Sequence, residues 1–197
     1  MCRTYNIDES HGVKHALDVY KYSRNLVSAE SKQFPIILSQ QHIIYTSALL
    51  HDTCDKKYMN EEDGLQDIIS FLQETSLYQD EDIDIIIKII QTMSYSKVKI
   101  NGFPKLGEYT KAYHIVRESD LLTAYDFDRC LLFTMNSYKI EYNIAFTLAN
   151  DLYQQRMIKH ISDGLIKTKY GIEEGNRLLI ENQKNILSIK TMIENDI

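Results

Sequence analysis

The sequence predicts an all-α fold, and three observations carry that expectation. Apolar residues recur at helical spacing along most of the chain. Only two prolines and seven glycines occur, too little turn material for a β-sandwich. No internal repeat, low-complexity tract or Pro/Gly/Ser linker interrupts the pattern, so one domain is expected over residues 1–197.

A first helix is expected over roughly 9–30. His11, His15, Val19, Tyr22 and Leu26 share one side of it, and Val13, Leu17 and Tyr20 form a neighbouring stripe. Pro35 ends the connection that follows, and Ser39 offers a cap for a helix over roughly 40–53. Leu65, Ile68, Ile69 and Leu72 stand at i, i+3, i+4 and i+7, which predicts a helix over roughly 62–74. Ile83, Ile86, Ile87 and Ile90 repeat that spacing in a helix over roughly 80–95. Asn101, Gly102, Pro104 and Gly107 cluster into a loop, and Ser96 to Lys105 is expected as a short hairpin or a mobile loop. Helices over roughly 108–124 and 126–138 follow. Ile140, Ile144, Leu148 and Leu152 predict another over roughly 141–161. Gly164 and Gly171 bracket a connection, and Leu179, Ile186 and Ile193 mark a last helix over roughly 173–194.

The net charge of −6 argues against duplex nucleic acid as a partner, because duplex binding needs a basic face to displace counterions. It does not exclude phosphate chemistry, since a bound metal supplies positive charge locally. Cys2, Cys54 and Cys130 show no CxxC spacing and read as reduced thiols. The first ten residues have no apolar signal core. The longest uncharged run, Gln33 to His51, is interspersed with Gln, Ser, Thr, Tyr and His, so no membrane span is expected. A soluble, cytoplasmic protein is the expectation.

Three places set metal-capable groups within apolar helical faces. His15 is the first; a lone inward histidine is also an ordinary hydrogen-bonded core residue. The second is His51-Asp52, at the end of the apolar run Ile43, Ile44, Ala48, Leu49 and Leu50. A buried carboxylate costs several kcal/mol unless paired, and a divalent cation is a good partner. The bland alternative is a helix end whose Asp52 is solvated or bonded to a backbone amide. The third is Asp120, in a stripe with Tyr113, Val116, Ala124 and Phe127. Arg117, one turn away, is its bland partner.

The order His15, then His51-Asp52, then Asp120 resembles the H…HD…D signature of the HD-domain metal-dependent phosphohydrolase superfamily. The resemblance runs from about Asp8 to Arg129. DESHGVKHALDV is similar to the family's first-helix motif, ALLHDTCDKK to its HD motif, and ESDLLTAYD to its ADRLDA-type segment. Leu121 and Thr123 stand where that branch often carries Arg and Asp. The resemblance implies a compact helical bundle with a central metal site. Its HD core would span about 8–130, with C-terminal helices over about 131–197 packed on it.

It further implies His15, His51, Asp52 and Asp120 as the metal ligands. Mixed nitrogen and oxygen ligation suits Mn²⁺, Co²⁺, Ni²⁺ or Fe²⁺, with Mg²⁺ within range. The family's dinuclear branches carry further histidines between the HD pair and the last Asp; only His114 lies there, so one ion is expected. Asp52 and Asp55 are the implied catalytic carboxylates, with Asp55 in the proton-transfer step. Lys56, Lys57, Arg117 and His11 are the candidate substrate contacts. Weaker candidates are Ser94, Tyr95, Ser96, Tyr109, Tyr113 and Tyr125, and, beyond the core, Tyr138, Arg156, Thr168 and Lys169.

The expected activity is hydrolysis of a small nucleotide by metal-activated water, of the 5′-nucleotidase or nucleotide pyrophosphatase type. Two alternatives stand beside it: a non-catalytic module sensing a metal and a nucleotide, and a helical interaction protein without a site. A homo-oligomer is left open.

Overall fold

The computed structural model describes residues 5–8 and 10–195, the last two for their backbone alone. Cys2 lies outside them. The described residues form nine α-helices and no strand, so the all-α expectation holds. The helices are α1 (Val13–Glu30), α2 (Gln41–Leu50), α3 (Glu61–Thr75), α4 (Asp80–Thr92), α5 (Tyr95–Asn101), α6 (Thr110–Thr123), α7 (Phe127–Tyr138), α8 (Tyr142–Gln155) and α9 (Lys169–Asn195). None is long and apolar enough to cross a membrane. The chain divides into two units, Met1–Asp120 and Leu121–Ile197.

In the first unit α1 packs on α2, α2 on α4, and α3 on α4. Val19, Leu26, Ile43, Ile44, Ile68, Leu72, Ile86 and Ile89 are sealed in its core. The amphipathic spacing of α3 and α4 accounts for their faces. Their starts are set by polar side chains. Asn60 accepts from the amides of Glu62 and Asp63, and Gln79 and Asp82 form a reciprocal capping box. The second helix starts from Gln40 without a side-chain cap; Ser39 instead bonds back to the Ile36 carbonyl.

Two expectations fail here. Val13 and Leu17 are exposed, so α1 has one buried stripe, through His15, Val19, Ser23 and Leu26. Of the Ser96–Lys105 stretch, residues 96–101 are helical rather than a hairpin or loop, and only 102–105 form the expected loop. Ser94 caps α5, Val98 is its buried anchor, and Gly102 ends it at φ +73°. An ion pair from Lys97 to Glu61 ties α5 to α3.

In the second unit α7 lies along α8 and touches α9. Phe127, Cys130, Ala145, Ala149 and Tyr153 are buried, whereas Ile144 and Leu148 are exposed. The buried face of α8 is therefore the one that carries Ala145, Phe146, Ala149 and Tyr153, next to the expected stripe. The fifteenth residue past Ile140, Gln155, ends α8, and Met157–Lys159 is a 3₁₀ turn rather than a continuation. Cys54 and Cys130 are buried free thiols. Burial pushes Cys54 up to about 12 and Cys130 to about 11, so both stay protonated near neutral pH.

Candidate metal centre

Three segments of the first unit supply the donors. α1 carries His15 on its buried face. α2 stops at Leu50, where the amide and hydroxyl of Thr53 both bond to the Leu50 carbonyl and turn the chain out of the helix. His51 and Asp52 stand in that turn. α6 brings Asp120, three residues from its own end.

These side chains converge. His15 Nε2 lies 3.1 Å from His51 Nε2 and 3.1 Å from Asp52 Oδ2, and His51 Nε2 lies 3.3 Å from Asp52 Oδ2. Asp120 Oδ1 is 3.4 Å from His15 Nε2 and 3.6 Å from His51 Nε2. Ligands about 2.1 Å from an octahedral ion stand about 3.0 Å apart at right angles. The triangle of His15, His51 and Asp52 has that size. The buried group can hold a metal ion. Among the described residues no other set of three such donors is drawn together.

Two further observations fit a cation. His51 Nδ1 lies 2.9 Å from the Ala48 carbonyl. A carbonyl only accepts, so Nδ1 carries a proton, and in the neutral form that binds a metal the lone pair of Nε2 turns to the cluster. Asp52 Oδ2 is buried without a hydrogen bond although two imidazole nitrogens flank it. Two neutral nitrogens and two carboxylates match the charge of a divalent ion.

The electrostatics agree. Burial raises the Asp52 carboxyl, but the charge of His51 and the imidazoles beside it outweigh burial and hold it well below the usual range. Asp120 is held low in the same way by His15 and His51. Burial lowers the His51 pKa, but Asp52 and Asp120 outweigh it and raise the imidazole well above its ordinary value. In the absence of a metal, a proton on His51 takes the cation's place.

The candidate substrate residues fall into three positions. Lys57 Nζ lies 3.3 Å from His11 Nε2 and 3.7 Å from Asp55 Oδ2, and Asp55 Oδ1 accepts from the Lys57 amide. Lys56 is exposed. Arg117 is buried, its guanidinium 4.9 Å from the centre of the Phe103 ring. Tyr113 and Tyr125 are fully buried, and Ser94 caps α5. His42 pairs with Asp82 at 3.1 Å.

Sequence reasoning passed over Asp8, Ser10 and Tyr58. Tyr58 donates to Asp8 Oδ2 at 2.6 Å and lies 3.2 Å from His11 Nδ1; Ser10 donates to Asp8 Oδ1 at 2.5 Å and lies 2.7 Å from the same nitrogen. The His11 ring meets that of His15 edge-on at 6.1 Å. The available signal was adjacency: DESH and DKKY flank the two histidine-bearing segments.

The turn after α2 is seated on Gly64 of α3. A Cβ there would lie 2.8 Å from Cys54 Cβ, 3.0 Å from Cys54 Cα and 2.6 Å from Met59 Sδ. Met59 can swing aside, but the Cys54 backbone cannot. Gly64→Ala is expected to destabilise the protein by about 1–3 kcal/mol. It should also weaken divalent-metal binding, because the displaced backbone lies two residues from Asp52. Denaturant melts and a calorimetric Mn²⁺ titration check both effects.

No protein-family model matches the chain, and no curated protein matches it. Solved structures do. A Lactobacillus plantarum protein, a structural-genomics target, superposes with a TM-score of 0.70 at 20% identity, over 94% of this chain and 89% of that one. Bacillus subtilis YpgQ, solved in complex with ADP, superposes with a TM-score of 0.63 at 20% identity, over 99% of this chain and 94% of that one. At this identity the likeness speaks for the fold.

Proposed function

We propose that the chain is an HD-type metal-dependent phosphohydrolase acting on a small nucleotide. The convergence of His15, His51, Asp52 and Asp120 from three separate segments is the observation that carries this reading. The ADP held by a protein of like fold supports a nucleotide as substrate.

A bound divalent ion lowers the pKa of water and polarises a phosphoryl oxygen. The chain's own groups do the rest. His15 and His51 offer neutral nitrogens, and Asp52 and Asp120 balance charge. Asp55, three residues beyond Asp52, takes a proton from the attacking water and passes it to the leaving oxygen as the phosphorus–oxygen bond breaks. Lys57, held between Asp55 and His11, faces the phosphate as a point charge. The acidic chain suits a small metal-complexed substrate better than a polymer.

A phosphate-release screen over nucleoside mono-, di- and triphosphates with Mn²⁺, Co²⁺, Ni²⁺ and Mg²⁺ tests the proposal. Metal-dependent turnover of at least one nucleotide is expected. Tight nucleotide binding without any release would replace the enzyme by a sensor, and neither binding nor release would dispose of both.

A further inference from the structure

The polar network beside the metal ligands has a defined direction. Both hydroxyl protons of Ser10 and Tyr58 point at the Asp8 carboxylate, which only accepts. Each hydroxyl oxygen therefore turns a lone pair to His11 Nδ1, at 2.7 and 3.2 Å. Nδ1 must then be the donor. With the proton on Nδ1, the lone pair of the ring lies on Nε2, and Nε2 faces the Lys57 ammonium at 3.3 Å. An N–H at Nε2 would instead oppose the ammonium.

We propose that Asp8, acting through Ser10 and Tyr58, sets His11 in the Nδ1–H tautomer, so that His11 Nε2 accepts from Lys57 and aims its ammonium as the phosphate-binding cation of the site. This rests on the nucleotide reading above and names the residues that position its phosphate. Lys57 touches the substrate; Asp8, Ser10, Tyr58 and His11 act through it. Asp55, 3.7 Å from Lys57 Nζ, gives the ammonium a second anchor. The network also joins the residues before α1 to the turn after α2, so the lysine is registered against both histidine-bearing segments.

Asp8→Asn is the decisive variant. An amide of the same shape keeps one acceptor and adds a donor, so one hydroxyl must turn its proton to His11 Nδ1. The ring then moves its own proton to Nε2, against Lys57. Long-range ¹H–¹⁵N spectra of the full-length Mg²⁺ protein, with His11 assigned from a His11→Gln sample, should show Nδ1–H in the wild type and Nε2–H in Asp8→Asn. The dissociation constant for ADP, and KM for whichever nucleotide is turned over, should rise about tenfold, with kcat and Mg²⁺ affinity nearly unchanged. Tyr58→Phe, which keeps the ring edge against His11, should move ADP affinity the same way by less. An Nε2–H tautomer in the wild type, or wild-type ADP affinity in both variants, overturns the proposal. A wild-type chain that releases no phosphate overturns the enzyme reading alone, because the spectra and the ADP titration still decide the relay.

Discussion

Asp52→Ala is expected to weaken divalent-metal binding by at least about 100-fold and to abolish phosphate release with it. Changes to groups that merely orient a ligand cost about 10–100-fold, and Asp52 is itself proposed as a donor. The substitution removes a negative charge from a buried cluster and leaves two imidazole nitrogens 3.1 Å apart. Asp52→Asn keeps the shape and loses only charge and basicity, so it separates ligation from packing. Calorimetric titration with Mn²⁺ and elemental analysis of the purified variants make the comparison. Wild-type affinity in Asp52→Asn would remove Asp52 from the ligand set, and the proposed chemistry with it.

The second large effect is on pH dependence. The raised His51 pKa contributes stability that is complete below the unfolded value of about 6.5 and is lost as pH rises through the folded one. The depressed Asp52 and Asp120 values contribute stability present above about 3.9 and lost as pH falls through the folded values. The metal-free cluster is thus most favourable between about pH 4 and 6.5 and weakens above it. A metal must displace the proton from His51, so its contribution grows as pH rises. At a metal concentration 1,000 times Kd the gain is about 4 kcal/mol. Thermal melts from pH 5 to 9, with and without Mn²⁺, should show a gap in Tm that widens with pH. A gap that narrows would place the cation elsewhere.

The bodies of α3 and α4 were legible because their isoleucines and leucines repeat at helical spacing and are buried as that spacing implies. The candidate metal donors stood out for the opposite reason: each is a polar group set in an apolar face, where something must compensate it. Spacing also identified the long helices without saying which face turns inward. In α8 the branched residues Ile144 and Leu148 look outward, while Ala145 and Ala149 allow close approach to α7. The short α5 has a single buried apolar residue, so its order depends on the Ser94 cap and on Glu61, 36 residues away. Asp8 and Tyr58 escaped notice because turn residues carry no periodicity and their contact spans 50 residues.

The bond from His51 to the Ala48 carbonyl has an evolutionary consequence. Many imidazole ligands are steered by a carboxylate side chain, which a single base change can delete. Here the steering atom is main chain, and every amino acid at position 48 supplies it. Orientation of this histidine is thereby inherited with the last turn of α2 itself. A saturation library should find tolerance at position 48 for any small residue that fits the core, and no single codon whose loss merely rotates the ring.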